Sequence, residues 1–285
     1  MRMLFGGCVA LGLCCTSAFA DVEAGLDALG RGDAEAAAVA FQTAFDAGDG
    51  DGAFYIGRML ELGLGAEPDI AQARQLYQLA SDQGSALAMN RLGLLYLDGA
   101  GVIRDYKRGA ELVCQAADQG QADAQFNCAI VLSDGRGIEA DAGRAVDYLK
   151  QAAEQGHIGA MNLLGMAYKT GEAVPADPAE AFRLFGQTAL EGNPLGLYET
   201  SVAYDEGLGV GVDKVKAYAY ANVAAALLHP AAAIQRDRLE AGLDAAQIEA
   251  GQAEARDLMA ALQVKASAAA AGEAIAHEGM PPAAE

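Results

Sequence analysis

Between residues 51 and 228, apolar side chains recur at the three- and four-residue spacing of helices that bury one face. Residues 88–97 show this spacing clearly. The apolar positions there are Met89, Leu92, Leu95 and Tyr96. The run Gly99-Ala100-Gly101 interrupts the pattern, and a second helical stretch covers residues 106–119. Because glycine readily takes the left-handed conformation that ends many helices, the pattern predicts two short helices joined by a glycine turn.

Glycine and aspartate each recur every 36 residues along the chain. The glycines are Gly48, Gly84, Gly120, Gly156 and Gly192, and the aspartates are Asp33, Asp69, Asp105, Asp141, Asp177 and Asp213. An aspartate just before a helix caps it by accepting hydrogen bonds from the first free amides. Each period is therefore predicted to contain helix A, a glycine turn, an aspartate-capped helix B and a tight turn into the next helix A.

Small residues recur at one position of helix A, where helices must approach each other closely. They are Gly57, Gly93, Ala129, Gly165 and Ser201. Glycine inside a helix costs about 1 kcal/mol relative to alanine, so its repetition indicates a packing requirement. One helix pair cannot bury such a face alone, but stacked pairs can. The predicted fold is an all-α, right-handed α-solenoid of antiparallel helix pairs with 36-residue repeats.

The second period resembles the Sel-one-like repeat, a longer relative of the tetratricopeptide repeat. The residues that carry the resemblance are Leu92-Gly93-Leu94-Leu95-Tyr96-Leu97-Asp98-Gly99-Ala100-Gly101-Val102, Asp105 and Ala116-Ala117-Asp118-Gln119-Gly120. Five full repeats are expected over residues 51–228, after a truncated capping repeat over 21–50 and before capping helices over 229–262. Two glycines of the pattern are missing. Ala173 replaces the second turn glycine of the fourth repeat, and the last repeat ends in Leu227-Leu228-His229-Pro230 without its closing glycine.

The first twenty residues have the features of a secretory signal peptide. Arg2 is followed by an apolar stretch over residues 3–13 and by the small-residue pattern Ala18-Phe19-Ala20. We expect cleavage after Ala20, so that Asp21 begins a periplasmic or secreted protein. The alternative is a lipoprotein anchored through Cys8, Cys14 or Cys15. The residues before Cys14 and Cys15 fit a lipobox poorly, and Cys8 fits better but comes too early for a full apolar region.

The charge balance narrows the functional classes. The chain has 19 Lys and Arg against 39 Asp and Glu, a formal net charge of −20. Such acidity repels phosphate backbones and anionic lipid surfaces, so neither nucleic acid nor membrane insertion is expected. Only 3 histidines are present, and no catalytic, metal or cofactor constellation is recognisable. A non-enzymatic protein is therefore predicted. The Ala-rich acidic residues 263–285 are predicted to be a disordered tail.

Cys114 and Cys128 are the two cysteines that remain after the predicted cleavage. They are equally distant in sequence from the turn near Gly120, so they should face each other across a helix hairpin. In an oxidising compartment this favours a disulfide, with two buried free thiols as the alternative. The family resemblance agrees, because cysteine-rich members carry disulfides across the same hairpin.

The resemblance also implies a binding groove along the helices A. It places the side chain two residues before the helix A glycine in that groove, with its neighbours alongside. The candidate partner-binding residues are Tyr55, Arg58, Arg91, Asn127, Lys169 and Glu199, with Leu163 at the equivalent position of the fourth repeat. Varied side chains on a uniform scaffold indicate specific binding. The alternative is an ordinary solvent-exposed face. For His157, the sequence favours a solvated loop residue.

These features predict a periplasmic scaffold or adaptor that binds another envelope protein through a concave solenoid groove. The family includes periplasmic regulators of membrane sensor kinases, so regulation of an envelope signalling protein is the sharper form of this prediction. The alternative is a binder or hydrolase of cell-wall fragments or β-lactam-like ligands. That alternative requires a pocket with a convergent serine or carboxylate pair.

Overall fold

The computed structural model describes residues 14–275, with side chains described over residues 21–267, and its regular elements in this range are helices. The helices A are α1 (Cys14–Gly30), α3 (Gly50–Leu62), α5 (Ala86–Asp98), α7 (Ala122–Asp134), α9 (Ile158–Thr170) and α11 (Pro194–Glu206). The helices B are α2 (Ala34–Asp46), α4 (Ile70–Asp82), α6 (Tyr106–Asp118), α8 (Ala142–Glu154), α10 (Pro178–Leu190) and α12 (Lys214–Ala226). Two closing helices follow, α13 (Ala232–Glu240) and α14 (Ala245–Ile275). This succession of antiparallel helix pairs confirms the predicted α-solenoid class.

The predicted caps form at every helix B. Each of the six periodic aspartates accepts a hydrogen bond from a backbone N–H two or three residues ahead, as Asp105 does from Arg108 at 3.0 Å. Five glycines in the left-handed conformation end helices A, at Gly63, Gly99, Gly135, Gly171 and Gly207. Local sequence therefore determines where each helix begins and ends.

The chain divides into two compact units. Among the described residues, unit 1 comprises 14–119 and 271–275, and unit 2 comprises 120–270. Unit 1 contains two apolar clusters, one around Phe41 and Met59 and one around Tyr77 and Leu92. In unit 2, two apolar clusters are built from α10–α14 and include Leu197, Val223, Tyr218 and Leu239.

Close helix contacts explain the small residues of helix A. A Cβ atom on Gly57 would lie 2.7 Å from Cε1 of Tyr77, and one on Gly93 would lie 2.7 Å from Cγ2 of Val113. Ser201, which replaces the glycine in the fifth repeat, donates a hydrogen bond from Oγ to the carbonyl of Ala217 at 2.7 Å. The side chain at this position is therefore limited by the neighbouring helix B.

The C-terminal helices differ from the predicted pattern in length. A capping box opens α14, because Asp244 and Gln247 each accept a hydrogen bond from the other's backbone N–H, at 2.9 and 3.0 Å. However, α14 continues past residue 262, where the sequence predicts a disordered tail, to Ile275. Alanine favours helix, and Lys265 forms an ion pair with Glu191 at 2.6 Å, which holds this part of α14 against the C-terminal end of α10.

The N-terminal helix also extends beyond its prediction. The sequence predicts a short helix A over residues 22–29, whereas α1 begins at Cys14 and so includes the end of the predicted signal peptide. Cleavage after Ala20 stays a prediction. Residues 1–13 of the predicted signal peptide and residues 276–285 of the predicted tail lie outside the described residues.

Candidate functional site

The predicted binding residues of unit 1 surround one carboxylate. Glu61 of α3 accepts hydrogen bonds from Nη1 of Arg58 at 2.5 Å and from Nε of Arg91 at 3.2 Å, and Arg91 also pairs with its second oxygen through Nη2. The hydroxyl of Tyr77 donates to the same carboxylate at 2.5 Å. Since Arg91 lies on α5, Glu61 connects two successive repeats.

The electrostatics of this cluster follow from its partial burial. Burial raises the pKa of Tyr77 to about 12, so the phenol stays protonated and remains a donor to Glu61. Burial and then the charge of Arg58 lower the pKa of Arg91. The side chain of Glu61 is only 10% exposed, whereas those of Arg58 and Arg91 are 34% and 33% exposed. Glu61 thus balances one positive charge, and both guanidinium groups still reach the surface.

Tyr55 contributes to packing as well as to the surface. Its ring stacks on Phe41 with centroids 5.0 Å apart and meets the edge of Phe54 at 5.1 Å. The residue is half-buried, and burial together with the charges of Asp51 and Asp49 raises the pKa of its hydroxyl. Only part of this predicted contact residue is therefore available to a partner.

In unit 2, two of the predicted binding residues pair with each other. Nζ of Lys169 on α9 lies 2.5 Å from a carboxylate oxygen of Glu199 on α11. Lys169 and Glu199 occupy the same repeat positions as Glu61 and Arg91, so the charges are exchanged. The Glu199 side chain is 7% exposed, which leaves it little surface for a partner. Asn127 is half-buried.

Leu163 is the most open residue of this row in unit 2. It lies on α9 at the position equivalent to Arg91 and is 43% exposed.

Asp205 forms a third contact of the kind made by Glu61, and the sequence did not indicate it. Asp205 lies at the repeat position of Glu61, and Gln235 donates a hydrogen bond to its carboxylate at 3.3 Å. Lys214 and Arg238 also pair with this carboxylate. Burial opposes its ionisation, but hydrogen bonds from Lys214 and Arg238 outweigh that effect and lower the pKa of Asp205. The 36-residue period alone could have located this acidic residue.

His157 is not the solvated loop residue that the sequence favours. Its Nδ1 accepts a hydrogen bond from the backbone N–H of Ala160 at 3.0 Å, which caps α9. Its ring stacks on Phe126 at 4.4 Å, and Nε2 lies 3.4 Å from a carboxylate oxygen of Asp123. The histidine is therefore a structural cap in the position that Asn193 occupies one repeat later.

The remaining chemical candidates are also structural. Cys114 and Cys128 are buried and disulfide-bonded, in agreement with the favoured interpretation of the sequence.

Within the described part of the chain, no three His, Cys, Asp or Glu residues are grouped as metal ligands. The described helices also include none with the length and apolarity needed to cross a membrane.

Comparisons with known proteins agree with this architecture. The family model of the Sel1 repeat matches residues 50–85, 86–121, 122–157, 158–193 and 194–227. A Sel1 repeat protein from Oxalobacter formigenes superimposes with a TM-score of 0.63 and 25% identity, over 72% of this chain and 84% of that one. A protective antigen of uropathogenic Escherichia coli with an SLR fold superimposes with a TM-score of 0.58 and 22% identity, over 88% of this chain. The match spans only 62% of the length of that antigen. No curated protein sequence matches the chain.

Proposed function

The chain belongs to the Sel1 repeat family, whose members mediate protein–protein interactions on a typically non-enzymatic scaffold, and we propose that it is a periplasmic adaptor for another envelope protein. The partner contacts the row of helix A side chains. The periplasmic location is supported by the signal-peptide features of residues 1–20 and by the disulfide state of Cys114 and Cys128.

One observation carries the binding proposal: the helix A row combines a constant backbone with side chains that differ from repeat to repeat. In unit 1 the row offers Arg58 and Arg91, which are positioned by Glu61 and remain about one-third exposed. In unit 2 it offers Leu163, which is exposed. Arginine is enriched among the energetic centres of protein interfaces. Burial of the exposed Leu163 side chain by a partner adds hydrophobic stabilisation. Preorganisation by Glu61 also reduces the entropy lost when a partner binds.

Photo-crosslinking in intact cells tests this proposal. A photoreactive amino acid replaces Leu163 on helix A in one strain and Leu79 on helix B in a second. The two leucines are similarly exposed, at 43% and 48%, so they differ mainly in the face that they occupy. We expect one defined crosslinked partner from position 163 and none from position 79. Equal crosslinking from both positions, or none from 163, contradicts binding through the helix A row.

The location of the protein requires a separate measurement. Cell fractionation followed by the intact mass of the purified protein reports both compartment and processing. We expect a periplasmic protein that begins at Asp21. A mass that retains residues 1–20, or that includes an acyl chain, contradicts the proposed processing.

A further inference from the structure

Three tyrosines share one position of helix A and face one position of helix B. They are Tyr96, Tyr168 and Tyr204. In two cases helix B places a cation over the ring. Cζ of Arg108 lies 4.6 Å from the ring centroid of Tyr96, and Nζ of Lys216 lies 5.4 Å from that of Tyr204. A cation at this distance is attracted by the negative face of the aromatic ring.

The fourth repeat has a carboxylate where the other two have a cation. Glu180 of α10 occupies the position of Arg108 and Lys216. It binds Arg183 through two hydrogen bonds, of 2.8 Å to Nε and 2.6 Å to Nη2. The hydrogen bond from Arg183 lowers the pKa of Glu180, which keeps the carboxylate ionised at neutral pH.

Arg183 does not take the place of the missing cation. Its third donor group, Nη1, binds Gln187 at 2.8 Å, so Glu180 and Gln187 together orient the whole guanidinium. Among the side chains that the structure describes, no Lys or Arg lies over the ring of Tyr168 as Arg108 and Lys216 lie over theirs.

A cleft is present at this place. It has a volume of about 320 Å³ and lies between α8, α9 and α10. Its lining includes Tyr168, Glu180, Arg183 and Gln187, together with Lys150 and Glu154 from α8. The volume is at the lower end of the range found for ligand sites. The acidic and basic side chains of the lining balance each other, so the uncovered aromatic ring determines what the cleft prefers.

We propose that this cleft binds a lysine or arginine side chain of a partner protein over the ring of Tyr168, in the place that Arg108 and Lys216 occupy in their own repeats. The inference rests on the proposed function only for the source of the cation. A basic segment is favoured over an acidic one because the net charge of −20 draws cations to the protein. Lys150 is the one lining charge that opposes such a ligand and is not neutralised by Glu180.

An NMR titration of the whole protein with N-acetylarginine amide tests the cleft directly. The matched control is N-acetylcitrulline amide, which has nearly the same shape but no charge. We expect saturable shifts of the Tyr168 ring signals with the arginine probe and at least tenfold weaker binding of the citrulline probe. Equal responses to the two probes, or no saturable shift of Tyr168, overturns the proposal.

Three variants identify the site. Glu180→Lys places the lysine of the fifth repeat over Tyr168, where it occupies the binding position. Tyr168→Leu introduces the leucine of the third repeat and removes the aromatic ring. Each variant should therefore weaken binding of the arginine probe at least tenfold. Lys150→Gln removes the opposing charge and should tighten binding. Circular dichroism verifies that each variant is folded. Unchanged affinity in both folded Glu180→Lys and Tyr168→Leu overturns the proposal. Because the probe needs no partner, failure here is distinct from failure of the crosslinking experiment.

Discussion

Glu61 and Arg91 form an ion pair between successive repeats, and Lys169 and Glu199 form the same pair three repeats later with the charges exchanged. The two repeat positions are therefore coupled across the stack. A charged side chain can occupy one of these positions when the other position carries a side chain of opposite charge. These ion pairs join neighbouring helices A.

The exchanged charges predict the result of a double-mutant cycle at Lys169 and Glu199. Each single reversal, Lys169→Glu or Glu199→Lys, places like charges together at a partly buried site and should cost about 1–3 kcal/mol, reduced from the fully buried case because Lys169 is partly exposed. The double variant recreates the polarity of Glu61 and Arg91 and should recover most of that loss. Urea unfolding measures the cycle, and strictly additive losses contradict direct coupling.

Two non-glycine residues occupy left-handed backbone conformations where the repeat has glycine. The φ angles of Ala173 and Leu228 are +63° and +62°. Replacement of either residue by glycine should stabilise the protein by about 1 kcal/mol, because this conformation is unfavourable for residues with a Cβ atom. Leu228 is 87% exposed, so little packing is lost.

Thermal unfolding measures this effect, and Leu79→Gly provides the control. Leu79 is also exposed but lies inside α4, where glycine costs about 1 kcal/mol of helix stability. The prediction is therefore a higher melting temperature for Leu228→Gly and a lower one for Leu79→Gly. A lower melting temperature for both variants contradicts strain at residue 228.

Removal of two adjacent hydroxyl groups on α11 should change the stability of the protein in opposite directions. Thr200 is 1% exposed, and its hydroxyl has no hydrogen-bond partner within the described part of the chain. Thr200→Val should stabilise the protein by about 1 kcal/mol, because it removes an unsatisfied polar group without changing the shape. Ser201→Ala should destabilise it by about 1 kcal/mol, because Ser201 donates to the carbonyl of Ala217. Urea unfolding of both variants tests the contrast, and loss of stability in Thr200→Val contradicts it.

The stability should depend on pH through His229. This residue follows α12, and its ring stacks on Tyr198 with centroids 4.3 Å apart. Burial lowers its pKa below the ordinary 6.5, against an opposing effect of Glu199. The unfolded chain therefore binds a proton at His229 more readily than the folded chain does. The contribution of His229 to the free energy of unfolding is complete above pH 6.5 and is lost as pH falls below it.

His229→Phe tests this dependence because it retains an aromatic ring next to Tyr198. Urea unfolding at pH 7.5 and 5.5 should show a smaller loss of stability for the variant than for the wild type. His157→Asn is the control, since it keeps a side chain that can cap α9 and should leave the contribution of His229 intact. An equal pH response of wild type and His229→Phe refutes the assignment.

The sequence alone determined the repeated helices from α2 to α12 and their ends, although not the lengths of α1 and α14. The periodic aspartates and glycines act within a few residues of their own position, through caps such as that of Asp105 and left-handed turns such as that at Gly99. Such interactions depend on local backbone geometry. The same local chemistry underlies the length of α14, because the alanines after residue 262 favour helix.

Only the tertiary structure decided which helix A side chains are available for binding. The sequence placed Lys169 and Glu199 in one row, but it could not show that they neutralise each other. It also did not show that Tyr55 stacks on Phe41, or that no Lys or Arg among the described side chains lies over the ring of Tyr168 as Arg108 lies over that of Tyr96. These properties depend on distances between side chains from different helices. Such distances are set by how the helix pairs pack, because residues far apart in sequence become neighbours only when the repeats stack.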